Sequence, residues 1–497
     1  MADHSQSIAY VRTEDAPKLP APASTVGIQG WLIKNLFSTP FYSLLTVVLG
    51  GYLIWEIADI VNWALLTAIW TGSSREACLV ENSGACWPMV WDKFPQWIYG
   101  FYPIAERWRV NIVFVVAALA MVPMLMPSAP YKMWNALFLL VVFPLLTLIL
   151  LTGGNFDLSS DAYLIVIGLF LLGTLLVPFA AFGVEEGIAR NKAGLLLAGA
   201  ALVLWLLSLV FSGLDWELGG YSLDPLPLVM MALLIVSAVF SLIVGAVGES
   251  RSAAFGWAIA FAAVMIAMLL LDTDFGLETV ETSQWGGLLV TLVVSVTGIV
   301  ASLPIGILLA LGRRSQMPIV KLFSVVFIEL WRGVPLLTVL FFSSVMLPLF
   351  LPEGTNFDKL LRALIGVALF SAAYMAEVVR SGLQAIPKGQ YEGAMALGLS
   401  FWQMMGKIIL PQALKISIPN IVGNFISLFK DTTLVSIIGL FDLLGIVRAG
   451  LKDSAWAAPS TAPTGYFALA LMFWIFCFAM SRYSMYTERR LNTGHKR

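Results

Sequence analysis

The sequence predicts an all-α polytopic membrane protein with about twelve transmembrane helices. Of its 497 residues, 59% are hydrophobic and only 12% are charged, whereas roughly 25% of an ordinary soluble protein is charged. Apolar runs of about 20 residues, the length that crosses a bilayer, recur along the chain. The 29 basic and 30 acidic residues nearly cancel, so no basic surface indicates a nucleic-acid partner. The lipid bilayer is the partner that the composition predicts.

The apolar runs divide the chain into a tail, an N-terminal membrane region and a C-terminal membrane region. Seven runs precede residue 285, at 41–70, 110–126, 134–151, 163–183, 194–211, 226–247 and 256–271. Five follow it, at 287–311, 325–350, 361–383, 416–438 and 466–486. Residues 1–40 begin with a Pro/Ala/Ser-rich stretch without a long apolar run, which is typical of a disordered tail. We therefore expect accessory helices at 41–285 and a five-helix transport domain at 286–490.

The distribution of Lys and Arg predicts that both termini are cytoplasmic. The loops at 153–161, 213–224 and 272–284 contain acidic residues and no Lys or Arg, which is typical of the non-cytoplasmic side. Basic residues collect in the alternate segments: Lys34, Lys132, Arg190, Lys192, Arg251, Arg313, Arg314, Lys321, Lys388, Lys407, Arg489, Arg490, Lys496 and Arg497. The Trp-rich loop at 71–109 is external on this interpretation although it carries basic residues, because the rule weakens for long loops.

Charged residues enter the membrane helices mainly after residue 285. Glu329 and Arg332 are three residues apart, as are Glu377 and Arg380, and this spacing on a helix permits mutual neutralisation. Intramembrane charge is costly and is retained where a helix faces a cavity or a partner. We favour structural ion pairs near the cytoplasmic boundary, with substrate contact as the alternative.

Residues 387–411 predict a helical hairpin on the cytoplasmic side. Pro387 suits the first turn of a helix, and Gly398 suits the left-handed residue that ends it. Ser400 and Gln403 match a capping box for a second helix, which Pro411 is expected to stop. The side chains expected to face a soluble partner are those of Tyr391, Ala394, Leu397, Phe401 and Met405. The alternative is an amphipathic connector on the lipid surface.

A family resemblance favours the first interpretation. The residues that carry it are Glu392, Gly393, Ala394, Gly398, Ile408, Leu410 and Pro411. Their spacing resembles the EAA loop of binding-protein-dependent ABC importer permeases, with Gly393 in place of the usual central alanine. The resemblance implies that this loop is the coupling helix that fits a groove of a cytoplasmic ATPase. Glycine at that position lowers helix propensity by about 1 kcal/mol at most.

Neighbouring segments at 329–337, 374–390 and 430–443 are similar to permeases of the polar amino-acid uptake family. With its long N-terminal extension, the chain looks most like a subunit of the general L-amino-acid or glutamate/glutamine/aspartate/asparagine importers of Gram-negative bacteria. The resemblance implies an inner-membrane location, a second related permease subunit, two ATPase subunits and a periplasmic amino-acid-binding protein. The chain lacks a G-x-x-x-x-G-K-[ST] phosphate loop, so ATP and Mg²⁺ are expected on the ATPase subunits and no cofactor on this chain.

One face of the run at 416–438 is a candidate substrate pathway. Asn424, Ser427 and Asp431 are spaced i, i+3 and i+7 and share a helical face. Asp431 could meet an α-ammonium group, and the two neutral side chains offer hydrogen bonds. Ser371 and Tyr374 on the preceding span are second candidates. The alternative is that these polar groups hold helices together.

The remaining candidate sites concern cysteine and histidine. Cys78 and Cys86 flank a short loop and form a disulfide only if that loop faces an oxidising compartment, the alternative being two free thiols. The two histidines, His4 and His495, lie in the polar tails, so haem or copper ligation and an intramembrane histidine relay are not expected. We expect no metal site.

These observations predict a permease subunit of an ATP-driven amino-acid importer, which makes and breaks no substrate bond. The alternative is an ion-coupled secondary amino-acid transporter, which would favour inverted repeats and discontinuous helices; the two halves show no convincing repeat. A membrane-embedded enzyme is a third class. It would need a nucleophile and base or a metal cluster at membrane depth, and the sequence offers no histidine-containing set there.

Overall fold

The computed structural model describes residues 27–491 apart from 127, 157, 159, 183, 211–215, 219–220, 224, 248–250 and 351–357. These residues form α-helices and one short antiparallel hairpin, β1 (Trp216–Leu218) with β2 (Tyr221–Leu223). The predicted all-α polytopic fold class is confirmed. Most of the tail expected to be disordered, residues 1–26, lies outside the described residues. The rest of that stretch includes a helix, α1 (Gly27–Asn35), whose Trp31 and Ile33 are exposed.

The helices before residue 285 follow the predicted apolar runs with different ends. They are α2 (Pro40–Val61), α3 (Trp87–Tyr99), α4 (Arg107–Leu125), α5 (Lys132–Leu137), α6 (Phe143–Thr152), α7 (Ser160–Thr174), α8 (Val177–Phe182), α9 (Val184–Arg190), α10 (Lys192–Val210), α11 (Pro225–Val247) and α12 (Arg251–Asp272). The ends are set by local chemistry. The Thr39 hydroxyl accepts the Tyr42 N–H at the start of α2, and Gly153 adopts φ +95° after α6, as capping residues do.

The remaining helices follow residue 285. They are α13 (Gly287–Arg313), α14 (Pro318–Gly333), α15 (Leu336–Phe341), α16 (Lys359–Ala385), α17 (Lys388–Ala396), α18 (Phe401–Met404), α19 (Leu410–Asp431), α20 (Leu443–Gly450) and α21 (Thr461–Leu491). Within the described residues, π-helical turns lie at Asn62–Leu66, Phe138–Val142, Phe342–Met346 and Met405–Ile409. Short 3₁₀ turns lie at Arg75–Cys78, Ile104–Glu106, Thr282–Gln284, Leu347–Phe350, Thr432–Ile438 and Ser454–Trp456.

Each predicted apolar run has a helical counterpart in the described part of the chain. Nine helices there are long and apolar enough to cross a membrane, and a bent helix pair counts as a tenth. Two shorter apolar helices, Ile165–Phe179 and Lys192–Leu204, fall on the remaining two predicted runs. The described residues thus agree with the predicted total of about twelve.

The predicted continuous span at 325–350 is broken, because α14 and the helix that begins at Leu336 meet at an angle of 103°. The break lies at Val334 and Pro335. Val334 has extended backbone angles, φ −111° and ψ 135°, as expected for a residue before proline, and Pro335 has no N–H to continue the helical ladder.

Pro411 does not stop the hairpin's second helix, contrary to the prediction. Residues from Phe401 to Ile438 form one continuous helical span. A π-helical turn, Met405–Ile409, precedes the proline, and the Leu410 N–H donates to the Met405 carbonyl. Proline is tolerated in the first turn of a new α-helical segment. The wider turn therefore lets the helix continue through Pro411 into α19.

The chain divides into two compact units that do not follow the predicted boundary at 285. The first unit contains Met1–Ile98, Thr291–Phe341 and Gly366–Arg497, and the second contains Tyr99–Val290 and Phe342–Ile365. The helix α2 and most of α3 therefore belong to the same unit as most of the helices after residue 285. Apolar periodicity along the chain carries no information about which helices pack together, so the sequence does not predict this assignment.

Buried polar contacts hold the second unit together. The guanidinium of Arg109, which is almost fully buried, lies 2.6 Å from the Glu106 carboxylate and donates to the Glu278 carbonyl at 2.7 Å. The side chains of Asn191 and Ser241, both fully buried, exchange hydrogen bonds of 3.1 and 3.2 Å. Interhelical hydrogen bonds of this kind commonly hold membrane helices together.

Candidate functional site

The predicted hairpin at 387–411 consists of α17 and α18. Pro387 occupies the N-cap of α17, one residue before its predicted first-turn position. Gly398 has φ +70°, the left-handed conformation that glycine adopts without a Cβ clash. Ser400 and Gln403 form a complete capping box at the start of α18. The local sequence signals therefore determine the shape of this loop.

Hydrogen bonds attach the hairpin to the ends of the spans around it. The Tyr391 hydroxyl donates to the Leu383 carbonyl of α16 at 3.1 Å. The Arg314 guanidinium, directly after α13, donates to the same hydroxyl at 3.0 Å and lies 5.4 Å from the centre of the Tyr391 ring. The Gln412 amide on α19 donates to the Gln390 side chain at 3.1 Å. These contacts link the hairpin to three membrane spans.

The exposed face of the hairpin differs from the predicted one. Ala394 and Met405 are buried, because they pack in a core that also contains Met375 and Val379 of α16. The large apolar side chains that are exposed are Met395, Leu397, Phe401 and Trp402. Glu392, Gly393, Gly398 and Pro411 are exposed, whereas Ile408 and Leu410 are half-buried. Packing against α16 decides which side of the hairpin is buried, and periodicity alone does not show it.

Five charged side chains on three helices form one ion-pair network. The Glu377 carboxylate accepts from Arg380 at 2.7 Å and from Arg313 at 2.9 Å, and it lies 3.9 Å from Arg332. Glu329 lies 2.9 Å from Arg313. The predicted pairing of Glu377 with Arg380 is present. The predicted pairing of Glu329 with Arg332 is not among the ion pairs of the described residues, because both side chains turn toward the α13 and α16 partners that the fold supplies.

A cavity of about 530 Å³ opens beside this network in the first unit. Its wall consists of residues from α14, α16 and α19: Arg332, Tyr374, Glu377, Val378, Ser381, Pro419, Asn420, Gly423, Asn424 and Ser427. A guanidinium, a carboxylate, a phenol, two amides and two hydroxyls therefore surround one space. This set of donors and acceptors suits a small zwitterion.

The structure brings together three of the five predicted pathway residues. Asn424, Ser427 and Tyr374 line the cavity, with the Arg332 guanidinium 5.6 Å from the centre of the Tyr374 ring. Asp431 and Ser371 do not line it. Ser371 is buried, and its hydroxyl has no hydrogen-bond partner among the described residues. Asp431 is half-buried at the last position of α19.

Some residues of this site were not predicted from the sequence. Arg313 joins Glu329 to Glu377, and only its position at the end of an apolar span indicates a role. Asn420 lies four residues before Asn424 and therefore on the same helical face, so the polar stripe could have been extended by one turn. Ser381 and Gly423 carry no signal of their own in the sequence.

Cys78 and Cys86 are joined by a disulfide bond. This pairing fits one of the two alternatives left open by the sequence. Clusters of three His, Cys, Asp or Glu side chains able to hold a metal ion do not occur in the part of the chain that the structure describes.

A fully buried carboxylate begins α20, outside the membrane-spanning helices. Asp442 accepts the N–H groups of Leu444 and Gly445, both at 3.0 Å. Burial raises the pKa of Asp442 to about 6, and these hydrogen bonds and Arg448 oppose the rise. The neighbouring Leu443 N–H donates to the Thr291 hydroxyl of α13 at 3.0 Å. Asp442 therefore positions α20 through a helix cap whose protonation state changes near pH 6.

Known proteins resemble nearly the whole chain, and a family model matches its C-terminal part. Residues 302–493 match the family described as binding-protein-dependent transport system inner membrane component. The chain is 40% identical to the inner membrane amino-acid ABC transporter permease protein YhdY of Escherichia coli, over 96% of this chain and 97% of that protein. It is 41% identical to the glutamate/glutamine/aspartate/asparagine transport system permease protein BztC of Rhodobacter capsulatus, over 98% and 99%.

A solved structure also resembles part of the chain. The crystal structure of an amino acid ABC transporter with histidines is 29% identical and covers 41% of this chain and 92% of that chain, with a TM-score of 0.37. The family match and the two full-length relatives agree with the resemblance carried by residues 387–411 and favour an ABC importer over an ion-coupled transporter. The chain therefore belongs to the family of binding-protein-dependent amino-acid ABC transporter permeases, which are multi-pass inner-membrane components of ABC importers.

Proposed function

We propose that this permease imports acidic and amide L-amino acids and that movement of the hairpin at 387–411 opens and closes its cavity. The observation that carries the proposal is the connection between the two sites. The hairpin joins α16 to α19, and these helices supply nine of the ten residues around the cavity. Ser381 in the cavity wall lies four residues before the end of α16, about 6 Å along the helix. A displacement of the hairpin therefore shifts the cavity wall directly.

The hairpin has the surface that docking to an ATPase subunit requires. Its exposed apolar side chains, which include Leu397 and Trp402, belong to the same short hairpin as the exposed Glu392. An exposed apolar patch with a charged neighbour is typical of a protein interaction site. The proposed location is cytoplasmic, because the adjoining segments carry Arg313, Arg314 and Lys388 and such charges collect inside.

Charge reversal in the hairpin tests the coupling role. We expect Glu392→Lys and Gly398→Asp to abolish both uptake and co-purification of the ATPase subunits while membrane insertion is retained. Glu185→Lys, an exposed glutamate on α9, is the matched control and is expected to transport normally. Normal transport by either hairpin variant would refute the coupling role.

The charges around the cavity support the substrate class. The three arginines of the network outnumber its two glutamates, and the neutral Asn424 adds no negative charge to the wall. Arg332 can bind a substrate carboxylate in a bidentate manner. The cavity wall itself contains one guanidinium and one carboxylate, those of Arg332 and Glu377. The net positive charge of the adjoining network therefore favours glutamate and aspartate, or their amides, over lysine and arginine. One full-length relative carries the four corresponding amino acids in its name.

A change of charge at Asn424 tests this selectivity. We expect Asn424→Glu to lower the uptake of glutamate relative to lysine by about tenfold or more, since like charges 4 Å apart repel by about 1–4 kcal/mol. Asn424→Gln keeps the amide and is expected to preserve the preference. An unchanged ratio of glutamate to lysine uptake in Asn424→Glu would show that the substrate does not pass this wall.

The proposed complex contains a second related permease, two ATPase subunits that bind ATP and Mg²⁺, and a periplasmic amino-acid-binding protein. Both termini are placed in the cytoplasm on the basis of the charge distribution. The purified chain alone is therefore expected to hydrolyse no ATP, and reconstitution with its ATPase subunits is expected to restore hydrolysis that the loaded binding protein stimulates. Uptake by the isolated chain without ATP would refute the proposal that transport depends on separate ATPase subunits.

A further inference from the structure

The segment between α2 and α4 contacts the beginning of α21 at several successive points. We define the strap as residues 63–97 and the α21 entry as residues 453–467, both within the first unit. The strap contains the Cys78–Cys86 disulfide and most of α3. Family membership assigns no role to this segment, which precedes the matched residues 302–493.

Charged contacts connect the strap to the beginning of the α21 entry. The Lys93 ammonium lies 2.5 Å from the Asp453 carboxylate, and the pKa of Asp453 is lowered chiefly by this hydrogen bond. The Trp456 indole N–H donates to the Asp92 carboxylate at 2.8 Å. Adjacent strap residues thus bind two points that are three residues apart on the α21 entry.

Both cysteines of the disulfide make hydrogen bonds at the beginning of α21, one to its first turn and one to Ser460, the residue before it. The Cys86 N–H donates to the Thr464 hydroxyl at 2.9 Å, and the Ser460 hydroxyl donates to the Cys78 carbonyl at 3.4 Å. The Thr464 hydroxyl in turn donates to the Ser460 carbonyl at 2.6 Å. Cys78, Cys86 and Thr464 are almost completely buried. The disulfide therefore holds in place the two backbone groups that bind α21.

Aromatic and close-packed contacts continue the interface by one more turn. The rings of Trp63 and Trp87 meet Phe467 edge to face, at centroid distances of 5.6 and 6.3 Å. A Cβ added to Gly465 would lie 3.5 Å from Met89, so the strap packs closely on this side of α21. Of the contact positions, 464 and 467 are three residues apart on α21 and share one helical face, whereas 453, 456 and 460 lie in the segment that leads into this helix.

Farther along α21, aromatic packing links this helix to the cavity through α19. Phe429 of α19 packs against Phe473 and Phe476 of α21, with both ring centroids 5.3 Å away. Phe429 lies two residues after Ser427, which lines the cavity. A shift of α21 along its axis therefore moves the packing surface of the helix that forms the cavity wall.

We propose that the strap is a redox-dependent positioning element, in which the intact Cys78–Cys86 bond fixes the start of α21 and thereby the cavity wall of α19. In the reduced state, a small dithiol has supplied two electrons and two protons, the S–S bond has become two thiols, and the dithiol has become a disulfide. The backbone groups of residues 78 and 86 are then free to separate, and the contacts to Ser460 and Thr464 are lost. The effect on uptake depends on the proposed transport function, whereas the loosening of the α21 entry does not.

The test compares amide hydrogen exchange and amino-acid uptake in the assembled transporter with and without a membrane-impermeant dithiol. Reduction of the wild type, and the double variant Cys78→Ser/Cys86→Ser without reductant, are expected to speed exchange at the α21 entry by about tenfold or more, the effect expected for loss of a loop-closing disulfide. Uptake is expected to fall to half or less. Cys477→Ser, which removes the free thiol, is expected to behave as the wild type in both states.

Two further observations make the outcome decisive. Lys93→Met is expected to speed exchange near residue 453 with the disulfide intact, because it removes an anchor without changing the redox chemistry. The double serine variant is expected to show no further response to the dithiol. Unchanged exchange after reduction, or faster exchange with fully retained uptake, would overturn the proposal. If the wild type imports no amino acid, the transport assignment fails while the exchange arm still decides whether the disulfide fixes α21.

Discussion

Replacement of Glu377 by glutamine tests whether the ion-pair network beside the cavity stabilises the first unit. Glutamine keeps the shape and one acceptor oxygen but removes the charge. Glu377 accepts from Arg380 through two nitrogens, at 2.7 and 2.9 Å, and from Arg313 at 2.9 Å. Three arginines and two glutamates give the network one net positive charge, and the variant would carry two.

The burial of the two glutamates sets the expected magnitudes. The Glu377 side chain is 16% exposed, whereas that of Glu329 is 55% exposed and, among the described residues, forms an ion pair with Arg313 alone. Hydrogen bonds to charged groups contribute about 1.5–3 kcal/mol and neutral ones about 1 kcal/mol. Glu377→Gln removes the negative charge that binds two arginines, and we expect this loss to lower the free energy of unfolding by about 3 kcal/mol. The exposed pair of Glu329 is worth at most about 1 kcal/mol, so Glu329→Gln is the matched control.

The assay is unfolding of the purified chain in mixed detergent micelles, followed by tryptophan fluorescence. We expect the free energy of unfolding to fall by about 3 kcal/mol for Glu377→Gln and by no more than about 1 kcal/mol for Glu329→Gln. A double-mutant cycle with Arg380→Met should give a coupling energy of about 1–3 kcal/mol. Equal losses for the two glutamine variants, or no coupling to Arg380, would refute the assignment of Glu377 as the centre of the network.

Two further predictions concern a helix contact and a cap. Gly382→Ala is expected to destabilise the chain by about 1–3 kcal/mol in the same unfolding assay, since its Cβ would lie 2.1 Å from the Ser417 hydroxyl and 2.6 Å from the Ala413 carbonyl. Gly393→Ala, whose Cβ meets nothing within 4 Å, is its control and should stabilise α17 by at most about 1 kcal/mol. Burial raises the pKa of Asp442 to about 6, so ionisation of this carboxyl opposes folding. The protection of the Gly445 amide against hydrogen exchange should therefore fall as pH rises from 4 to 7. Asp442→Asn keeps the cap and should remove that pH dependence, whereas an unchanged profile would exclude Asp442 as the titrating group.

Local sequence signals predict the hairpin well, because each of them acts within a few residues. Gly398 ends α17 through its own backbone preference, and Ser400 with Gln403 caps α18 through hydrogen bonds across three positions. The same reasoning is wrong at Pro411, where a π-helical turn compensates for the missing N–H. It is also wrong for Ala394 and Met405, because a neighbouring helix buries them.

The sequence predicts the candidate substrate site only in part, because local patterns do not show which helices pack together. The stripe of Asn424 and Ser427 follows from helical periodicity, and both residues line the cavity. Asp431 lies on the same ideal face but at the end of α19, beyond the cavity wall. The role of Arg313 as a bridge between Glu329 and Glu377 depends on three helices meeting.

The sequence by itself determined the membrane class, the approximate positions of the spans and the hairpin that carries the family resemblance. Apolar length, capping residues and motif spacing all act through chain neighbours, so they are readable without a fold. The tertiary structure decided the partners of the charged residues, the extent of the cavity and the contact between the strap and α21. Lys93 and Asp453 are 360 positions apart, and only the packing of helices brings such residues within hydrogen-bonding distance.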